Sequence, residues 1–219
     1  MDCTSLRSIG VPIIEDCCQC VGRKKDGTWV GTEGDVAVYS LHPTKCFTGG
    51  SGGVVATNCE KTVEKIDVLK TDQSVLFNFT DLQAALALSQ FQRYGLFLQR
   101  RHDIANRYFT LLPRELTSAL REINNISMFF RFPLIWPADF DETRMSFSEN
   151  GIQVRRGVDT LLHRQEGTPD EYFPHAVRAF AHTLSIPILP QLTEEEVNRV
   201  VGVTIDIYNS TSSLDEKAM

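Results

Sequence analysis

Val36-Ala37-Val38-Tyr39-Ser40-Leu41-His42-Pro43-Thr44-Lys45, then Thr48-Gly49-Gly50-Ser51-Gly52-Gly53 and Val54-Val55-Ala56-Thr57, is the stretch whose reading decides the fold. Two apolar runs without polar alternation flank a glycine-rich loop, the pattern of strands covered on both faces of an α/β sheet. A third run, Val11-Pro12-Ile13-Ile14, lies upstream and ends on Glu15-Asp16. The expectation is three parallel strands at 11–15, 36–40 and 53–57. Ligands of such sheets bind beyond the carboxyl ends of the strands. Asp16 and the Ser40–Lys45 segment then share one rim, if the first two strands are parallel. An acid, a lysine and a hydroxyl on one rim suit a cofactor that needs a charge partner, a covalent anchor and a phosphate contact. Spacing alone leaves the plainer alternative open, with Lys45 a solvated loop lysine and Asp16 a turn residue. The loop is not a P-loop, because the lysine precedes the glycines and G-x-x-x-x-G-K-[ST] is absent.

Downstream, Thr80-Asp81-Leu82-Gln83 has the form of a capping box. An apolar stripe follows through Tyr94, Ile104, Tyr108 and Leu112 to Pro113, which stops it. The segment from about 80 to 112 reads as one long helix or two joined near Gly95. Beyond it the grain changes. Met128–Phe132 and Leu184–Ile188 read as strands, Asp141–Asn150 as a short helix, and Thr193-Glu194-Glu195-Glu196 as a second box opening a final helix. The organisation expected is a unit over 1–115 with the connecting helix, a small α+β domain over 116–209, and a flexible tail over 210–219.

Composition narrows the function. Of 219 residues, 42% are hydrophobic and 23% charged, enough for a buried core and against wholesale disorder. Lys plus Arg total 22 and Asp plus Glu 28, a net charge of −6, and basic residues do not cluster, which argues against a nucleic-acid partner. No apolar stretch has the length of a bilayer span, and the first ten residues lack a signal-peptide core, so a cytoplasmic chain without a membrane partner is expected. Cys17 and Cys20 form a C-x-x-C among six cysteines, but no second Cys or His pair follows at ligand spacing. Small buried hydrophobes are the favoured reading, no metal is assigned, and a redox or metal protein is the minority alternative.

Read as a set, several blocks resemble the sugar aminotransferases of the DegT/DnrJ/EryC1/StrS family, over about Gly10 to Val203. They are Pro12–Gln19, Gly31–Asp35, Ser40–Lys45, Gly50–Gly53, Asp81–Ala85, Gly151-Ile152 and Leu162-His163, in the family's order and spacing. The resemblance implies part of the large domain of an aspartate-aminotransferase type, pyridoxal phosphate-dependent fold, with mostly parallel strands, followed by the small α+β domain. It implies an enzyme that transfers an amino group from an amino-acid donor to a nucleotide-linked keto-sugar in cell-surface polysaccharide or secondary-metabolite biosynthesis. Carried over by position, Lys45 is the catalytic lysine that bonds covalently to the cofactor, and Asp16 pairs with its pyridine nitrogen. Gln19 sits against the ring near its 3-hydroxyl, Ser40 contacts the phosphate, and His42 has a supporting role. Some sugar dehydratases of this superfamily carry His where Lys45 stands, so the lysine points to the transaminase branch.

There are departures. The family reads Asn-Tyr-Arg-Met before the helix cap and uses that asparagine on the phosphate of a neighbouring subunit. Here Asn78-Phe79-Thr80-Asp81 is two residues shorter, so Asn78 is carried over against the pattern. Ser51 replaces the usual Glu of the glycine loop. The match also begins in the middle of the family's cofactor domain, after the segment that supplies the first strands, the phosphate-cradling helix start and the aromatic that stacks on the ring. The expectation is the carboxyl-terminal portion of an aminotransferase, binding the cofactor weakly and inactive alone. It would act as a homodimer or with a chain supplying the remainder, the alternative being a catalytically inactive truncated homologue or partner subunit.

Overall fold

The computed structural model describes residues 3–72, 79–123 and 127–215, and the chain divides into two compact units, Met1–Gln99 and Arg100–Met219. The first unit opens with helix α1 (Cys3–Arg7) and strand β1 (Ile14–Asp16), followed by a hairpin of β2 (Lys24–Lys25) and β3 (Thr28–Trp29). Asp26 and Gly27 turn that hairpin with both φ angles positive, at 50° and 83°, as an Asp-Gly two-residue turn requires. Strands β4 (Val36–Ser40) and β5 (Gly53–Ala56) and helices α2 (Glu60–Asp72) and α3 (Asp81–Phe91) complete it, before α4 (Tyr94–Leu111), in which the division between the units falls.

The sheet of this unit has the order β1-β4-β5. β1 and β4 are parallel, with Ile14 opposite Val36 and Asp16 opposite Val38, as expected. The third strand corrects the expectation: β5 runs antiparallel to β4, with Ser40 opposite Gly53. The connection explains it. A parallel return needs a crossover, usually a helix, whereas residues 41–52 form an irregular loop pinned shut where Leu41 N–H donates to the Gly52 carbonyl at 2.9 Å. Gly53 tolerates the approach because a side chain there would meet the Tyr39 carbonyl oxygen at 2.8 Å. Nor are these strands covered on both faces within this chain. All of β5 is exposed, Ile14 is 66% exposed, and no described strand pairs with the outer edge of β1.

The capping box forms as read. Thr80 Oγ1 accepts from Gln83 N–H at 3.3 Å while Gln83 Oε1 accepts from Thr80 N–H at 2.9 Å. The helical segment is two helices rather than one, parted at Gln92 and Arg93, where Arg93 N–H turns to the Gln90 carbonyl at i−3.

In the second unit, α5 (Arg114–Arg121), β6 (Phe132–Ile135), α6 (Phe140–Glu149), β7 (Arg155–Arg156), α7 (Leu162–Gln165), α8 (Pro174–His182), β8 (Thr183–Ile186) and α9 (Glu194–Asp215) build an α+β layer around an antiparallel sheet of order β6-β8-β7. Its core is aromatic, with Phe129, Phe132, Phe147 and Trp136 all but fully buried. Tyr108 is buried with them, and its hydroxyl donates to the Pro187 carbonyl at 2.6 Å. The strand read at Met128–Phe132 begins only at Phe132. Phe129 has φ +50°, outside strand geometry, and its carbonyl accepts from the buried Arg101 guanidinium at 2.6 Å instead of joining a ladder. The Thr193 box forms, with Glu196 N–H donating to Thr193 Oγ1 at 3.2 Å and Thr193 N–H to Glu196 Oε2 at 2.8 Å.

Candidate active site at the carboxyl ends of β1 and β4

Because β1 and β4 are parallel and in register, the residues that leave them emerge at the same edge. Asp16 closes β1 with its carboxylate turned back on the chain, Oδ1 accepting from Cys18 N–H at 3.0 Å. Hydrogen bonds from the Cys18 thiol and N–H hold the carboxyl below its ordinary value, and the positive field of Lys45 adds to them. The site therefore keeps an ionised acid within electrostatic reach of a lysine ammonium, on the rim that the sequence indicated. Lys45 is half-buried. Gln19 follows on the exposed turn after β1.

Ser40 closes β4, and its Oγ accepts from His42 N–H at 3.2 Å. Residues 42–45 then form a tight turn closed by Lys45 N–H donating to the His42 carbonyl at 2.9 Å. Proline at the second position supplies the fixed φ such a turn prefers. Beyond the turn, Thr48 ties the loop in place. Its hydroxyl donates to the Leu41 carbonyl at 2.6 Å, and its N–H donates to Gln90 Oε1 on α3 at 3.0 Å. Gly52, at φ +99°, lies against the Phe79 ring, which an added Cβ would meet at 2.7 Å. Asn78 lies outside the described residues.

Beneath this rim is a second anchor that the sequence reading missed. Glu15 points to the other face of β1 from Asp16 and accepts the backbone N–H groups of Gly31, Glu33 and Gly34 at 3.0, 2.8 and 2.5 Å. A signal was present: Gly31-Thr32-Glu33-Gly34 is a run of small residues whose N–H groups need an acceptor, and an acid closes the preceding strand. Gly31 is held at φ +94° against Tyr39, whose hydroxyl oxygen an added Cβ would meet at 2.0 Å. Cys17 is buried, and desolvation, reinforced by Cys20 and by the carboxylates of Glu15 and Asp16, pushes its thiol up to about 12. That is a packing residue rather than a thiolate nucleophile.

The arrangement suits a charged aromatic aldehyde with a phosphate tail: an ionised carboxylate for a ring nitrogen, an amine for the aldehyde, and a hydroxyl for the phosphate. The family profile of the DegT/DnrJ/EryC1/StrS aminotransferases matches residues 6–204. The chain belongs to this family. A pleiotropic regulatory protein of Geobacillus stearothermophilus is 29% identical over 218 residues, covering 91% of this chain and 59% of that protein. A GDP-perosamine synthase of Vibrio cholerae is 26% identical, covering 95% of this chain and 63% of its own length. Among solved structures, PseC of Helicobacter pylori, an aminotransferase involved in pseudoaminic acid biosynthesis, superposes with TM-score 0.82 at 18% identity over 94% of this chain and 62% of its own. The PLP-form of the Streptococcus pneumoniae protein named putative sugar aminotransferase Spr1654 gives 0.73 at 20% identity, over 91% and 58%. The fold is thus that of the solved sugar aminotransferases. The chain spans about three fifths of the length of the relatives it matches.

Proposed function

We propose that this chain carries the cofactor-anchoring rim of a pyridoxal phosphate-dependent aminotransferase acting on a nucleotide-linked keto-sugar, with an amino acid as donor. One observation carries the reading: the parallel register of β1 and β4, which puts the ionised Asp16 within the electrostatic reach of Lys45. Family membership and relatives such as the GDP-perosamine synthase support the sugar as acceptor.

Each residue has a definite task. Asp16 offers a carboxylate to a protonated ring nitrogen and stabilises that protonation. When bound, the cofactor supplies an electron sink for the bond broken at the substrate carbon. Lys45 Nζ would hold the cofactor through its aldehyde carbon, and the same amine, when free, would move a proton to and from the substrate carbon. Ser40 Oγ already accepts from His42 N–H, so its own proton remains available to donate to a phosphate oxygen. Gln19, on the exposed turn after β1, would lie against the ring. Cover for the other ring face and a fuller phosphate cradle would come from a partner or from sequence beyond these 219 residues. The outer edge of β1, which no described strand pairs, and the exposed Ile9, Val11 and Ile14 beside it support such an addition.

The test is an absorbance titration with pyridoxal phosphate, then borohydride reduction and peptide mapping. The label is expected on Lys45 and absent in Lys45→Ala. Labelling spread over surface lysines, unchanged by that substitution, would overturn the reading.

A further inference from the structure

His42 uses every polar group near its backbone on the three residues that matter around it. Its N–H donates to Ser40 Oγ at 3.2 Å, and its carbonyl accepts from Lys45 N–H at 2.9 Å. Its ring Nδ1 meets Thr44 Oγ1 at 2.9 Å and Thr44 N–H at 3.3 Å. The last contact fixes the chemistry of the ring. A backbone N–H can only donate, so Nδ1 presents its lone pair and the ring proton sits on Nε2. An imidazolium or the opposite tautomer would point hydrogen at hydrogen. The ring thus does what an Asn or Asp side chain does in an Asx-turn, taking the N–H two residues on.

We propose that His42 is the positioning residue for Lys45, working as a neutral Nε2–H imidazole whose Nδ1 fixes the 42–45 turn and so aims the lysine from the same rim as Ser40. Exposed as it is, His42 is set apart from a free surface histidine by these hydrogen bonds. Pro43 has no N–H to contribute, and His42 receives the N–H groups of both Thr44 and Lys45. Remove Nδ1 and one of the two bonds is lost, along with the acceptor for the Thr44 hydroxyl. The inference rests on the reading of Lys45 as the cofactor's anchor, but the state of the ring can be measured without the cofactor.

Two measurements on the 219-residue chain decide it. Long-range nitrogen–proton NMR of the labelled chain in mildly alkaline solution should show Nδ1 unprotonated and Nε2 protonated, with Thr44 N–H protected from exchange. A ring protonated on Nδ1, or an unprotected Thr44 amide, overturns the proposal. The second is borohydride trapping of pyridoxal phosphate, read as the fraction mapped to Lys45. His42→Ala should lower that fraction about fivefold, the loss expected from one hydrogen bond. His42→Asn, which restores an acceptor at the same reach, should recover most of it. Equal trapping in wild type and His42→Ala, or no recovery in His42→Asn, overturns the proposal. Should wild type itself fail to label Lys45 while the ring shows the stated tautomer and Thr44 stays protected, the anchor assignment fails and the turn-holding role of His42 stands.

Discussion

Asp16 lies opposite Val38 across the parallel pair, and Ser40 leaves the same strand two residues later. The acid and the hydroxyl therefore stand on neighbouring strands at one edge, and the segment that follows Ser40 carries Lys45 back toward the acid. An antiparallel pairing of these strands would have sent Asp16 and Ser40 to opposite edges.

Asp16→Asn should separate anchoring from catalysis. The amide cannot stabilise a protonated ring nitrogen, so transamination by the chain combined with the rest of the cofactor domain should fall by orders of magnitude, while borohydride trapping at Lys45 persists. Acid titration of the wild type checks the electrostatics behind this. The folded carboxyl is depressed from its ordinary 3.8 by Cys18 and by Lys45. Its contribution to stability is therefore complete above the unfolded value and lost as pH falls through the lower folded one. An NMR titration of the Asp16 carboxyl carbon should place the transition below 3.8.

Gly31→Ala should destabilise the chain. The backbone at φ +94° costs a side chain about 1–3 kcal/mol, and the new Cβ also overlaps the Tyr39 hydroxyl. Urea unfolding should show the loss, and pairing the substitution with Tyr39→Phe should recover part of it by removing the nearest atom.

Glu15→Ala should loosen the 31–34 loop without touching the rim directly. Three backbone N–H groups lose a charged acceptor, a cost of roughly 2–4 kcal/mol. Hydrogen exchange should report faster amides at Gly31, Glu33 and Gly34, a localised signature that global unfolding would not give.

The cysteines should react in a fixed order. Cys59 is exposed, and hydrogen bonds from the Thr62 hydroxyl and N–H lower its thiol from the ordinary value, so it should be modified first by an aromatic disulfide reagent. Cys17, at about 12 and buried, should be modified last, on the timescale of unfolding. Cys17→Ala should cost about 1 kcal/mol from altered packing and leave the fold intact.

How far the sequence carried these conclusions depends on where each determinant lies. The positions of β1 and β4, the cap at Thr80 and the prominence of Lys45 come from local pattern, and they were legible. The direction of β5 was not, because it depends on the closure between Leu41 and Gly52 rather than on the composition of the strand. Met128–Phe132 has strand composition, but Arg101, distant in sequence, takes the Phe129 carbonyl and moves the start of the ladder. Glu15 was hidden by its neighbour: Asp16 drew the argument toward the rim, while the alternation of the strand turned Glu15 to the opposite face, beneath it.

Self-association should follow from the surface of the first unit. Ile9, Val11 and Ile14 are 64%, 58% and 66% exposed beside the outer edge of β1, which no described strand pairs. Light scattering should show dimers or larger species, and Ile14→Lys should shift the distribution toward monomer.

The sheet of the second unit is built against strand addition. Its outer strand β6 carries Pro133, which lacks the N–H a newcomer would bind, and its other outer strand β7 is only two arginines long. In the first sheet β1 is guarded by Glu15 and Asp16, whereas the outer strand β5, Gly53–Ala56, is exposed along its length and has neither proline nor charge. Fibrillar misassembly through a sheet edge should therefore favour residues 53–56, and a charged gatekeeper at Val54 or Val55 should suppress it.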